Sequence, residues 1–443
     1  MYRKFFHYVL PSMLAFAFSS LYAIVDGFFI GQSIGDQGLA AINIAYPLVA
    51  LIQATGTGLG MGGAVMVTVS RGKKQKEPEH FFLGNLITIL ALSSILLFTV
   101  LFCFSRSLLS VMGAEGAILD GGVEYLCIIA LGALFQIFST GLIPILRNYG
   151  ASFLAMGAMI AGFVVNIILD ALFVMVFRFG MAGAAWATII GQAVTVLPCI
   201  PFILKKGRTL TRFHFRPKSD VIKQIVKVGI SPFGLTLSPN LALLIMNKFI
   251  SELGGGTAIA AYAVIEYVAV VNYALLQGIG DGSQPLISLF EAEGSIHLAK
   301  KIRNLAFAFA LLTSLFTFAG MTLLRHVIPP FFGASQAAAP IITENLPLFG
   351  AGGIFLSFCR VSTSYFYAIR ENKFAYLMVY GEPVLLFLLL ALVFPPLLGM
   401  EGVWLCTPVS QMMLAAVAAL LLFLHTKRPV FPKDQASSQN KLC

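Results

Sequence analysis

Apolar residues in this chain do not alternate with polar ones; they run together in long blocks. Blocks of roughly 20–28 residues recur twelve times, each long enough as a helix to cross about 30 Å of hydrocarbon. Their approximate limits are 8–31, 44–69, 81–103, 124–146, 153–177, 182–204, 228–250, 257–280, 304–324, 346–368, 374–397 and 402–425. The pattern predicts an all-α polytopic membrane protein of twelve transmembrane helices. Composition agrees: of 443 residues, 58% are hydrophobic and 11% charged. A soluble domain carries about 25% charged residues, so this chain has too few to cover itself with a water-facing surface. The first block lacks a small-residue cleavage pattern and reads as a retained helix, not a signal peptide.

The formal charge of +10 does not point to nucleic acid, because of where it sits. With both termini placed in the cytoplasm, 24 of the 29 Lys and Arg residues fall in cytoplasmic segments. That bias is the positive-inside pattern and predicts a multi-pass plasma (inner) membrane protein with cytoplasmic termini. The six cysteines (Cys103, Cys127, Cys199, Cys359, Cys406, Cys443) form no CxxC pair, and no histidine lies mid-block. The spans therefore hold no metalloenzyme or nucleophile–base set, no cofactor is expected, and the chain does not read as an enzyme.

The two halves repeat. At a shift of about 220 residues GTGLGMGG (56–63) falls on QGIGDGS (277–283), Gly113-Ala114 on Gly333-Ala334, and Glu124 on Glu344. Pro11 falls on Pro232 with a slip of one residue. Six crossings return a chain to its starting side, so the repeat is parallel and predicts two lobes with a cavity between them. The expected division is an N-lobe at 1–204, a basic connector at 205–227, a C-lobe at 228–425 and a tail at 426–443. The connector reads as a solvated loop facing lipid headgroups.

Four acidic residues fall well inside the blocks, Asp26, Asp170, Glu266 and Glu382, with one basic residue, Arg360. A mid-membrane charge costs at least about 2.5–3.5 kcal/mol on insertion scales, so each is a functional candidate. At about 1.5 Å rise per residue, Asp26, Asp170 and Thr188 lie roughly 8, 10 and 9 Å from the outer ends of helices 1, 5 and 6. Asn166 is one turn from Asp170 on the same face, and Tyr22 one turn from Asp26. Two carboxylates with neutral oxygen donors suit a proton relay or a Na⁺ site. Asn166 and Thr188 taken singly are equally explained as interhelical hydrogen-bonding residues.

Arg360 and Glu382 share a depth on adjacent helices and are expected to form a structural ion pair. Glu266, near mid-membrane with Tyr262 and Tyr273 along its helix, suits a lipophilic cation held by charge and aromatic faces. A protonated carboxyl bonded to another helix is the alternative. Gln53 and Gln277 are candidates for the cavity wall. Pro11 and Pro232 are expected to bend helices 1 and 7. The glycine runs permit close packing and are no phosphate loop, since neither strand nor lysine flanks them.

DGFFIG (26–31), GLAAINIAYP (38–47), Gln284-Pro285, and Asn166 with Asp170 together resemble the MATE (multidrug and toxic compound extrusion) family, particularly its bacterial DinF- and MepA-like branch. The resemblance covers nearly the whole chain. It implies a monomer of two six-helix lobes exporting cationic or amphipathic compounds by alternating access, driven by H⁺ or Na⁺. It also implies an N-lobe ion site made by Asp26, Asn166, Asp170 and Thr188. Some relatives carry a helix 7 carboxylate, where this chain has Met246 and Asn247, so coupling is expected in the N-lobe. A lipid-linked oligosaccharide flippase of the same superfamily is the rival, but it would need several cavity arginines or lysines where only Arg360 qualifies. A membrane-embedded enzyme or a channel fits less well.

Overall fold

A computed structural model of the protein describes residues 1–34, 36–207 and 210–427. The side chains at 22–24, 26–28, 30–34, 36–40 and 427 lie outside the described residues, and with them the side chains of Asp26 and Tyr22. Cys443 lies outside as well.

Among the described residues the chain folds into twelve long helices, with one short helical turn at Ile328–Phe331. The N-lobe holds α1 (Tyr2–Ile34), α2 (Asp36–Gly72), α3 (Lys76–Val111), α4 (Gly116–Leu131 and Ala133–Asn148), α5 (Ser152–Asp170, continued by Ala171–Val176) and α6 (Gly180–Lys206). α4 bends by 56° at Gly132. The C-lobe holds α7 (219–254), α8 (256–292), α9 (Ile296–Leu323), α10 (Ala338–Ala368), α11 (372–398) and α12 (400–427). α7 and α8 are parted by Gly255 at φ 65°, and α11 and α12 by Gly399 at φ 59°. The chain reverses at both: the Tyr273 hydroxyl on α8 donates to the Leu235 carbonyl on α7 at 2.9 Å, and Gly381 on α11 faces Leu414 on α12.

The repeat is written in the backbone. Left-handed residues end helices at 74 and 294, 113 and 333, 150 and 370, each pair 220 residues apart. Their hydrogen bonds repeat too. Lys74 N–H donates to Arg71 O and Gln75 N–H to Ser70 O; Gly294 N–H donates to Glu291 O and Ser295 N–H to Phe290 O. This paired closure satisfies carbonyls that a helix end would otherwise leave bare.

The glycine runs bring the lobes together. A Cβ on Gly58 would stand 2.7 Å from Phe233 Cβ on α7, and one on Gly278 would stand 2.5 Å from Met13 Cα on α1. α2 thus crosses α7, and α8 crosses α1, backbone against backbone under a pseudo-twofold relation. Neither glycine run departs from helical geometry. Pro11 and Pro232 are buried beside these crossings, each inside a helix that runs on past it.

The connector is largely exposed at 210–218, with His214 buried, and it is also fastened to α3. Asn85 Nδ2 donates to His214 O at 3.0 Å and its Oδ1 accepts from Lys218 N–H at 2.8 Å, while Thr88 Oγ1 donates to Phe215 O at 2.9 Å. These side chains satisfy loop backbone groups and hold His214 buried against α3 while its neighbours stay exposed.

Candidate functional site

Two polar centres lie within the helices, one toward each end of the bundle. The first is in the N-lobe. Asp170 closes the α-helical part of α5 and is fully buried, and Asn166 one turn earlier is 3% exposed. Beyond Asp170 the helix widens into a π-helical turn, Ala171–Val176, with Phe177 N–H donating to Leu172 O at 2.8 Å. Such turns loosen the carbonyl ladder beside them and recur at functional sites. Gly162 and Gly191 let α5 and α6 touch: a Cβ on Gly191 would stand 2.8 Å from Asn166 Cβ.

A small cavity opens between these two helices, lined by Gly162, Phe163, Asn166, Thr188, Gly191, Gln192 and Thr195. It gives the centre of a water-sized body about 10 Å³, room for one water or one small ion. Around it most polar atoms are engaged. Thr188 Oγ1 donates to Ala184 O at 3.0 Å, Thr195 Oγ1 to Gly191 O at 3.1 Å, and Gln192 Oε1 accepts from Ser139 Oγ. Asn166 is the exception: neither its Oδ1 nor its Nδ2 has a hydrogen-bond partner among the described residues. A buried amide left so is expensive, about 1–3 kcal/mol per unmet group, and calls for a water or an ion. The structure therefore brings Asn166 and Thr188 to one cavity with Asp170 a turn away, while the Asp26 side chain lies outside the described residues.

The second centre lies toward the connector end, on the floor between the lobes. Arg360 Nη2 and Glu382 Oε2 are 3.2 Å apart, and the Arg360 guanidinium lies 4.1 Å over the Tyr273 ring. With its hydroxyl on Leu235 O as well, Tyr273 is a structural member of this floor; the sequence had placed it among the substrate contacts. Next to it stand two charges that sequence reasoning missed. Arg147 Nη1 on α4 is 3.7 Å from Asp281 Oδ2 on α8, both side chains nearly inaccessible. Asp281 Oδ1 also accepts from Tyr367 at 2.7 Å and from Gln277 at 2.9 Å. The amides of Asn148 and Gln284 exchange hydrogen bonds at 3.0 and 3.3 Å beside them. Arg147–Asp281 and Asn148–Gln284 each join one lobe to the other.

The remaining candidates are spread out. Gln53 on α2 is half-buried. Glu266 on α8 is half-buried and hydrogen-bonded to Tyr262, whose ring is 2% exposed and packs against Phe349 and Trp404 at 6.1 and 6.3 Å. Tyr262 therefore supports Glu266 from the C-lobe core, and an open aromatic wall is not what it makes.

Comparison with known proteins follows the same two-lobed division. The family profile described as MatE matches residues 11–172 and 236–393, one stretch in each lobe. The chain is similar to the Multidrug export protein MepA of Staphylococcus haemolyticus, 23% identical over 430 residues, covering 95% of this chain and 93% of that protein. It is 24% identical over 437 residues to MepA of Staphylococcus aureus, covering 96% and 94%. The match to MepA of Staphylococcus saprophyticus is 27% over 290 residues and spans 64% of that relative. Among solved structures, MATE in complex with MaL6 superposes with a TM-score of 0.88 at 22% identity, over 95% of each chain. A MOP superfamily transporter from Pyrococcus furiosus superposes at 0.87, also at 22% identity over 95% of each chain. At that identity the superpositions speak for the fold.

Proposed function

The chain belongs to the MatE family, and on that premise we propose that it exports cationic or amphipathic small molecules in exchange for H⁺ or Na⁺. The observation that carries the coupling proposal is the unmet amide of buried Asn166, facing a one-ion cavity beside Thr188 with buried Asp170 a turn away. Asp170 and Asp26 supply negative charge, and Asn166 and Thr188 supply neutral oxygens. One proton or one small cation shared by the two carboxylates lowers their net charge from −2 to −1, and the π-helical turn next to Asp170 gives α5 a place to flex in response. Drug cations are drawn into the cavity between the lobes by Glu266, with Tyr22 and Gln53 as further wall candidates.

Alternating access needs a closure that can open. The floor of Arg147, Asp281 and Tyr367, locked by Asn148 and Gln284, is the cytoplasmic closure in this reading, with both termini and the connector in the cytoplasm and a monomer as the working unit. Arg360 and Glu382 stiffen it from the C-lobe side. A flippase for lipid-linked oligosaccharides would want unpaired cavity cations, whereas Arg147 and Arg360 each face a carboxylate.

Reconstitution into liposomes with an imposed pH or Na⁺ gradient and a fluorescent lipophilic cation tests the proposal. Gradient-driven uptake by the wild type, lost in Asp26→Asn and Asp170→Asn, is expected. Uptake by both variants at the wild-type rate would sink the coupling site.

A further inference from the structure

We propose a metal site on the connector: Glu77 and His80 from the first turn of α3, with His214 from the connector, bind one transition-metal dication of the zinc class. Their ligand atoms all lie within 4.8 Å of one another. The site is built at the water-exposed end of the bundle, so a hydrated cation reaches it without crossing hydrocarbon. It is independent of the transport site above.

Glu77 and His80 stand three residues apart on one helical face, so both side chains lean the same way. His214 arrives from far along the chain and is held in place. Its carbonyl takes the Asn85 amide at 3.0 Å, its Nδ1 lies 3.0 Å from both the Thr211 N–H and Thr211 Oγ1, and its ring packs on Phe81 at 4.9 Å. Gly84 leaves the room: a Cβ there would stand 2.4 Å from His214 O. The ring is thereby aimed with Nε2 toward Glu77.

His214 Nε2 and Glu77 Oε2 are 3.2 Å apart. Two ligands on a tetrahedral Zn²⁺ at about 2.0–2.1 Å are separated by roughly 3.3 Å, so this edge already has metal-site dimensions. His80, its ring 5.3 Å from that of His214 and half-buried, completes the third position by side-chain rotation. The fourth position faces water beside exposed Glu77. Two imidazoles, a carboxylate and a water form an ordinary zinc donor set.

Metal binding at Nε2 keeps His214 neutral: the ring proton moves from Nε2 to Nδ1, where Thr211 Oγ1 accepts it. The Thr211 N–H gives up its acceptor in exchange, which holds affinity below that of a structural zinc site. The consequence of binding is mechanical. The connector, already tied to α3 through Asn85 and Thr88, gains a further tie there, so metal occupancy sets how firmly it is held against the N-lobe.

The test uses the full-length protein carrying a tag without histidines, stripped with chelator and titrated with Zn²⁺ by calorimetry, with Co²⁺ absorption reporting geometry. One site per chain with a tetrahedral Co²⁺ spectrum is expected, weakened at least tenfold by His80→Ala and by Glu77→Gln. Neither variant removes a contact that anchors the connector backbone, and unchanged melting in chelator verifies their fold. Equal Zn²⁺ uptake by the wild type and the Glu77→Gln/His80→Ala double variant, or no uptake by either, would overturn the site.

Discussion

The two lobes share a backbone and differ in what they bury. Both lobes place a π-helical turn at nearly the same point of the repeat, Ala171–Val176 in α5 and Leu389–Val393 in α11. Yet Asp170 faces its counterpart Leu390, Asn166 faces Leu386, Thr188 faces Pro408 and Asp26 faces Met246. Met246, Leu386 and Leu390 are packed into the C-lobe core. At the connector end the bias reverses. Asp281, Arg360 and Glu382 correspond to Met61, Thr140 and Gly162 of the N-lobe. The widened turn is thus a property of the repeat, and chemistry has been added to it on one side only. Asp170 of the N-lobe sits toward the far end, whereas Asp281, Arg360 and Glu382 of the C-lobe sit toward the connector end, where the N-lobe contributes Arg147.

Giving the N-lobe the C-lobe residue should have the largest effect. Asp170→Leu is expected to reduce gradient-driven uptake to the empty-vesicle background while the fold survives, because a leucine, Leu390, already fills the equivalent place beside the π-helical turn of the C-lobe. Retained transport would mean that the difference between lobes is not about coupling. The converse exchange tests the core. Leu390→Asp puts an unpaired carboxylate where Leu390 is wholly buried, costing about 3–5 kcal/mol, seen as a lowered melting temperature with no gain in ion coupling.

A smaller effect is expected on the floor. Asp281→Asn leaves Arg147 buried without its counter-charge, which destabilises the closed connector end and favours the open one. A cysteine replacing Ser12, 2% exposed next to the α1–α8 crossing, should then react faster with a water-soluble maleimide than it does beside intact Asp281. Equal labelling would show that the ion pair does not latch the lobes.

Hydropathy was enough to read the twelve helices, because the membrane constraint acts on every block alike, and the motif repeat at about 220 residues supplied their division into lobes. It failed where burial comes from protein instead of lipid. The blocks ending at 146 and 280 stopped one residue short of Arg147 and Asp281, but α4 runs to Asn148 and α8 to 292, since the opposite lobe covers those ends. The glycine runs were visible as a motif, while their partners Phe233 and Met13 depend on a crossing no local pattern reveals. The connector reads as solvated by composition; its docking rests on Asn85, which lies 129 residues from His214. In the N-lobe centre, depth alone brought Asn166 and Thr188 together correctly, whereas the π-helical turn beside Asp170 left no mark in residue type.

The finest distinction concerns the two neutral donors of the N-lobe centre. Asn166 has no other partner among the described residues, so Asn166→Leu removes a donor whose whole capacity is free for the ion, and the concentration for half-maximal driving should rise about tenfold. Thr188 already spends its proton on Ala184 O and offers only its oxygen lone pairs. Thr188→Val keeps the shape and should raise that concentration only about two- to threefold, the lower end of one hydrogen bond's worth. Titrating transport against the driving ion in both variants orders them. If Thr188→Val proves the more damaging, the hydroxyl and not the amide is the principal neutral ligand, and the cavity between α5 and α6 must close around Thr188 when the ion binds.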